Sequence, residues 1–167
     1  SVGQILLTKE DFADRERFLN SRSVLNELLS KNIIPIINEN DAVVVSEIKF
    51  GDNDTLSALV STLIEADLLI ILSDIDGLFD KNPQVHKDAK LIEYVEKIDS
   101  KIESLAGDSI SNVGTGGMRT KINAAKIATR SGVSVIIAKS NKQNVLNCIL
   151  NQSTISLTSL LFVKTAL

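Results

Sequence analysis

Short β-branched apolar runs alternate with helix-period segments along nearly the whole chain, and no other sequence feature restricts the fold as strongly. Strand, crossover helix and strand form a right-handed unit, and repeated units build a mainly parallel sheet covered by helices. Residues 5–7 read as a brief strand. Thr8 with Asp11 resembles a capping box opening a helix in which Leu25, Leu28 and Leu29 share one face. Residues 33–37 read as a strand, and Pro35 requires it to lie at an edge or to begin near the proline. The alternation over 43–50 suggests a small hairpin. Asp54 is the expected N-cap of a helix whose stripe is Leu56, Leu59, Val60, Leu63 and Ile64. Residues 68–72 are continuously apolar, as a strand buried on both faces would be. A strand or helix at 91–95, a short helix at 99–105, a glycine- and serine-rich loop at 107–117 and a helix at 118–130 follow. A second buried strand at 133–138, a helix at 144–150 and a strand at 160–163 complete the pattern. The expected fold class is α/β, a three-layer α/β/α sandwich with a mainly parallel sheet.

The 167 residues read as one domain, 1–167, with no repeat or linker, and are numerous enough to bury a core. Aromatic residues make up only 4% and tryptophan is absent, so that core must come from Ile, Leu, Val and Ala. The net charge is −3 with basic residues dispersed, which argues against a nucleic-acid or anionic-membrane surface. No apolar run approaches the roughly 20 residues that span a bilayer, and the N-terminus lacks a signal-peptide pattern. The expected location is cytoplasmic. The single cysteine, Cys148, has no internal disulfide partner and lies in an apolar helical pattern, so it reads as an inert thiol.

In parallel α/β sheets, ligands bind beyond the carboxyl ends of the strands, and four polar clusters fall there. Asn38-Glu39-Asn40-Asp41 follows the strand ending at Ile37; its amides can donate to a carboxylate and its aspartate can accept from an ammonium, or it is a polar turn. Gly51-Asp52-Asn53-Asp54 enters a helix, where anions are favoured, although an ordinary cap has the same composition. Ser73-Asp74 follows the first buried strand. Asp74-Ile75-Asp76-Gly77 resembles part of a calcium loop, but Leu72 occupies the first ligand position, so a calcium site is rejected. Gly114-Thr115-Gly116-Gly117-Met118-Arg119-Thr120-Lys121 is the strongest local signal. Glycines entering a helix let backbone amides crowd an anionic oxygen, and Lys121 stands in the first turn beside it. The order is not that of a Walker loop. These residues point to a nucleotide-dependent enzyme acting on a small polar molecule.

Read together, residues 33–54 (IIPIINENDAVVVSEIKFGDND), 72–79 (LSDIDGLF) and 106–121 (AGDSISNVGTGGMRTK) resemble the amino-acid kinase family, and within it the glutamate 5-kinases. The likeness extends from about Leu6 to Ile149. It implies ATP-dependent phosphorylation of the side-chain carboxylate of L-glutamate to glutamyl 5-phosphate, the first step of proline biosynthesis. It further implies that Asn38, Asp41 and Asn53 bind glutamate, and that Ser73, Asp74, Thr115, Gly116, Gly117, Met118, Arg119, Thr120 and Lys121 border the nucleotide. Lys121 and Asp54 would be catalytic, the first neutralising charge on the moving phosphoryl group and the second holding catalytic groups in place. Mg2+ would arrive with ATP, with no metal site of the protein's own. The resemblance also implies feedback inhibition by proline and a homo-oligomer.

Two departures from the family pattern stand out. The family begins with a strand and a glycine-rich turn carrying a second lysine. Neither is seen here, so an N-terminally truncated domain is expected, with the apolar faces of 68–72 and 133–138 exposed. Many members also carry a C-terminal RNA-binding-like domain, and none follows here. Two alternatives stay open: an acid kinase of the same fold acting on acetylglutamate or aspartate, and a non-catalytic nucleotide-binding fragment. His86 and Tyr94 read as a solvated loop residue and a packing residue.

Overall fold

The computed structural model describes residues 1–43, 51–74, 77–81, 83, 85–107, 117–141 and 143–151, and the backbone of 160–163. Strand β1 (Val2–Leu7) is followed by helices α1 (Glu10–Ala13) and α2 (Arg15–Ser30), then β2 (Ile34–Glu39), α3 (Asn53–Leu63) and β3 (Leu68–Ser73). The second half holds β4 (Tyr94–Val95), α4 (Ser100–Gly107), α5 (Met118–Arg130), β5 (Ser134–Lys139), α6 (Val145–Leu150) and β6 (Leu160–Val163). Among the described residues β1 and β2 form a parallel pair, while β3, β5, β6 and β4 form a second sheet in that order. Pairing there is parallel for β3 with β5 and β4 with β6, and antiparallel only for β5 with β6. The expected α/β architecture with mainly parallel strands is thus present.

The main core lies between α3, α5 and the second sheet. Ala58, Ile122, Ala124, Ala125, Ala128, Val133, Val135 and Ile137 are all at most 1% exposed there. Small alanines on α3 and α5 let the two helix axes approach closely, and that approach sets the distance between their N-terminal turns. A smaller core joins Leu7 and Leu56 with Ile5, Phe12, Ile37, Leu59 and Val60, and so fastens β1 and β2 to α3. Pro35 is the second residue of β2, opposite Gly3 on β1, which satisfies its need to sit near a strand start. Gly3 lies under α2, where an added Cβ would already touch Leu28.

Four expectations require correction. The helix begun at Thr8 is two helices, because Asp14 adopts an extended conformation (φ −89°, ψ 130°) and caps α2 through Arg17 N–H. Within α2, Leu25 is buried and Leu28 faces β1, but Leu29, one turn beyond Leu25, is left 44% exposed rather than covered with them. Asp54 is not the cap of α3. Asp52 is, in extended geometry, accepting from the amide of Thr55 at 2.6 Å and its hydroxyl at 3.1 Å. Finally, Leu72 of β3 is exposed whereas β5 is covered: β3 and β6 take its two edges, α5 packs on it, and Val135 and Ile137 are fully buried. The expected hairpin at 43–50 lies outside the described residues beyond Val43.

Candidate active site

The site forms where the first turns of α3 and α5 meet. Because Asp52 is the cap of α3, Asp54 lies inside the first turn with its carboxylate directed away from its own helix. Helix α5 begins at Met118 after Gly117 (φ −77°, ψ −176°), a cap with no side-chain acceptor for the first amides. The Nζ of Lys121 donates to Oδ2 of Asp54 at 3.0 Å. The Thr120 hydroxyl lies 2.6 Å from the same oxygen and 2.8 Å from the carbonyl of Gly117. Lys121 is 6% exposed, and the side chains of the pair retain only 8% and 15% of their accessible surface.

A lysine is poorly served at this position by its own helix. The N-terminal end of a helix carries roughly half a positive charge, which repels a cation in the first turn. Burial adds a desolvation penalty that an ion pair offsets only when well satisfied. Asp54 supplies the compensation. A buried cation kept at the positive end of a helix is a local rule broken, and such breaks concentrate where a fold binds anions. With a side-chain-free cap beside it, the turn can receive a phosphate oxygen on backbone amides while Lys121 neutralises its charge.

The remaining candidates lie around this point at different depths. Ser73 ends β3 buried, 3.3 Å from the exposed carboxylate of Asp74, and its carbonyl accepts from Ser140 N–H at 2.7 Å. Gly77, just beyond, has φ +139°, and a Cβ there would lie 3.0 Å from Leu91, so only glycine fits that turn easily. Asn38 stands exposed at the end of β2 in register with Leu6, and Asp41 lies in the turn that follows. Asn53 lines a cleft of about 370 Å³ with Ile37, Leu56, Val60, Leu68 and Leu69, between β2, α3 and β3. Arg119 points elsewhere than Lys121: it borders a cavity of about 450 Å³ with Glu103 and Asn123, on the α4 side of α5. Met118 is buried in the core. Thr115 and Gly116 lie outside the described residues.

The geometry therefore joins Asp54, Thr120 and Lys121, which the sequence reading had grouped in two separate clusters. Among the described residues it does not join Asn38 or Asn53 to them by a hydrogen bond. Sequence reasoning missed two things, the Thr120–Asp54 link and the cap at Asp52. The second had a visible signal, an aspartate three residues before a threonine at a helix start. The first had none, since nothing in the chain order relates two residues so far apart.

Residues 1–139 match the model of the amino acid kinase family. The glutamate 5-kinase of Thermoanaerobacter sp. (strain X514) is 56% identical over 159 residues, covering 95% of this chain and 43% of that protein. The glutamate 5-kinase of Clostridium acetobutylicum is likewise 56% identical, over 150 residues, with 90% and 56% covered. The chain thus spans about half the length of these relatives. Among solved structures, the UMP kinase of Bacillus anthracis aligns with a TM-score of 0.58 at 13% identity, over 87% of this chain and 52% of that one, a likeness of fold. With five-sixths of its length matched by the family model and its fold shared with a kinase of known structure, the chain belongs to the amino acid kinase family.

Proposed function

We propose that this chain carries the nucleotide-side half of a glutamate 5-kinase, which transfers the γ-phosphoryl group of ATP to the side-chain carboxylate of L-glutamate. The observation that carries the phosphoryl-transfer reading is the buried Lys121 at the positive end of α5, held by Asp54. Similarity to proteins named glutamate 5-kinase supports the choice of substrate.

In this reading a glutamate carboxylate oxygen attacks the γ-phosphorus, the bond to the β,γ-bridging oxygen breaks, and ADP leaves. The acceptor needs no general base, because a carboxylate with a pKa near ~4 is already ionised at neutral pH. Lys121 stabilises charge on the phosphoryl oxygens, and Asp54 fixes the ammonium's position. The α5 amides, Thr115, Gly116, Gly117 and the backbone of Met118 and Arg119 border the nucleotide, with Ser73 and Asp74 beside it. Asn38, Asp41 and Asn53 bind glutamate. Oδ2 of Asp54 already accepts two donors, which leaves it poorly placed to ligate a cation. These residues fit Mg2+ arriving on the ATP phosphates, where it would polarise the transferring group. A homo-oligomer, inhibition by proline and a cytoplasmic location belong to the same proposal. Among the described residues, no helix is long and apolar enough to cross a membrane.

The test is glutamate-dependent ADP release from Mg-ATP, with hydroxylamine trapping the acyl phosphate, on this chain and on a version as long as its relatives. Trapped hydroxamate that requires glutamate supports the proposal. Turnover with acetylglutamate or aspartate alone would replace the substrate, and nucleotide binding without turnover in either version would remove the enzyme.

A further inference from the structure

We infer that Thr120 is a positioning residue for phosphoryl transfer, its hydroxyl spent on Asp54 rather than on the nucleotide. This rests on the kinase reading above and goes beyond it, since border residues of a nucleotide site are ordinarily expected to contact the nucleotide.

The hydroxyl has one proton and two acceptors in reach, Oδ2 of Asp54 at 2.6 Å and the Gly117 carbonyl at 2.8 Å. Hydroxyl bonds to carboxylates are typically about 2.5–2.7 Å and roughly twice as strong as neutral ones, so the proton goes to Asp54. As a β-branched residue in a helix, Thr120 is confined to few χ1 rotamers, and the one it adopts puts Oγ1 within 2.8 Å of the Gly117 carbonyl. Thr120 therefore acts as a rigid strut from the α5 backbone to one oxygen of Asp54. Lys121 donates to that same oxygen at 3.0 Å. Two neighbouring residues of α5 thus grip one carboxylate oxygen 66 and 67 positions away on α3. Without the hydroxyl, the Asp54 carboxylate is free to rotate about its χ2, and the Lys121 ammonium loses a fixed partner. A misplacement of this kind lowers the rate of the chemical step while leaving nucleotide affinity alone.

The test compares Thr120→Val, which keeps shape and removes the hydroxyl, with Thr120→Ser, which keeps the hydroxyl. We expect Thr120→Val to lower kcat by about 10- to 100-fold with the KM for ATP changed less than about twofold, the signature of a lost transition-state interaction. Thr120→Ser should return kcat to within about threefold of the parent. A Thr120→Val protein with parental kcat, or with kcat kept and KM for ATP raised, overturns the inference, as does a serine variant as slow as the valine one. A second readout stands apart from activity. Thr120→Val should lower the thermal midpoint by about 3–6 °C, and by less than half of that in an Asp54→Ala background. Equal shifts in both backgrounds overturn the link. If neither this chain nor a version as long as its relatives releases ADP with any acid, the kinase reading fails, and the melting cycle still decides whether Thr120 acts on Asp54.

Discussion

The ammonium of Lys121 on α5 and the carboxylate of Asp54 on α3 are joined at 3.0 Å, across 67 positions of sequence. Each residue stands in or beside the first turn of its helix, so two helix N-termini converge on one ion pair. The pair itself is neutral and Asp52 caps the α3 end, while the α5 end, with no side-chain acceptor at its cap, contributes roughly half a positive charge. That residue of positive potential, in a largely desolvated turn, suits a phosphoryl group and repels cations. The ion pair is then best understood as a device for holding a lysine where its helix disfavours it.

Replacing Lys121 tests this directly. Lys121→Ala should lower kcat for glutamate-dependent ADP release by about a hundredfold or more, the typical loss when a transition-state charge contact is removed. It also leaves the Asp54 carboxylate largely buried without its cation, which should cost about 3 kcal/mol in chemical denaturation. Near-normal turnover with lowered stability would reduce Lys121 to a structural residue.

Asp41 makes the opposite prediction. It is exposed in the turn after β2, so Asp41→Ala should cost less folding stability than Lys121→Ala. If it holds the glutamate ammonium, KM for glutamate should rise about 10-fold or more while kcat and the KM for ATP stay near parental. A steady-state titration in glutamate at saturating ATP checks this, and an unchanged glutamate dependence removes Asp41 from the substrate site.

Much of this arrangement was legible in the sequence, for identifiable reasons. Helix α5 begins and ends where 118–130 predicts, because Gly117 precedes it and Ser131-Gly132 follows it, with the Gly132 backbone at φ +90°. The buried strand β5 follows from an unbroken apolar run. Legibility failed where a local rule had two solutions. The segment after Thr8 carries one helical period throughout, yet Asp14 interrupts it because its side chain satisfies the Arg17 amide better as a cap than in a continuing helix. The Asp54–Thr120–Lys121 group was invisible for a different reason. It is created by close packing of two helices, and the alanines that permit the approach look like ordinary helix formers.

The loop between Phe79 and Leu91 yields a pH prediction. Asp88 accepts from Lys81 Nζ at 2.6 Å, and this bond, more than the weaker pull of His86, holds its carboxyl below the usual aspartate range. A carboxyl depressed in the folded state contributes stability above its unfolded pKa, near ~3.9, and loses it as pH falls through the lower folded value. Asp88 is well exposed and Lys81 partly so, which makes the effect local and salt-sensitive. A carboxyl NMR titration should give Asp88 a midpoint below that of ordinary aspartates, returning toward them in Lys81→Met and at high salt. An Asp88 midpoint unaffected by Lys81→Met would assign the shift to another cause.

The packing beneath the site should control its chemistry. Asp54 and Ala58 are four residues apart on α3, and Lys121 and Ala125 are four apart on α5, so each side chain of the ion pair sits one turn from a fully buried alanine on the same face. Ala58→Leu adds three carbons where no space remains, and overpacking of this kind typically costs about 1–3 kcal/mol. The added volume must push α3 and α5 apart, and the first group to feel it is the ion pair that bridges them. Turnover should therefore fall by about 10-fold or more even in the fraction that remains folded, with ATP affinity less affected. Val85→Leu, at a side chain 71% exposed in the loop between Phe79 and Leu91, serves as the control and should leave both stability and kcat near parental. If Ala58→Leu lowers stability as expected while kcat per folded molecule is unchanged, helix separation does not set the Lys121–Asp54 geometry, and the site tolerates more movement than close packing of α3 and α5 implies.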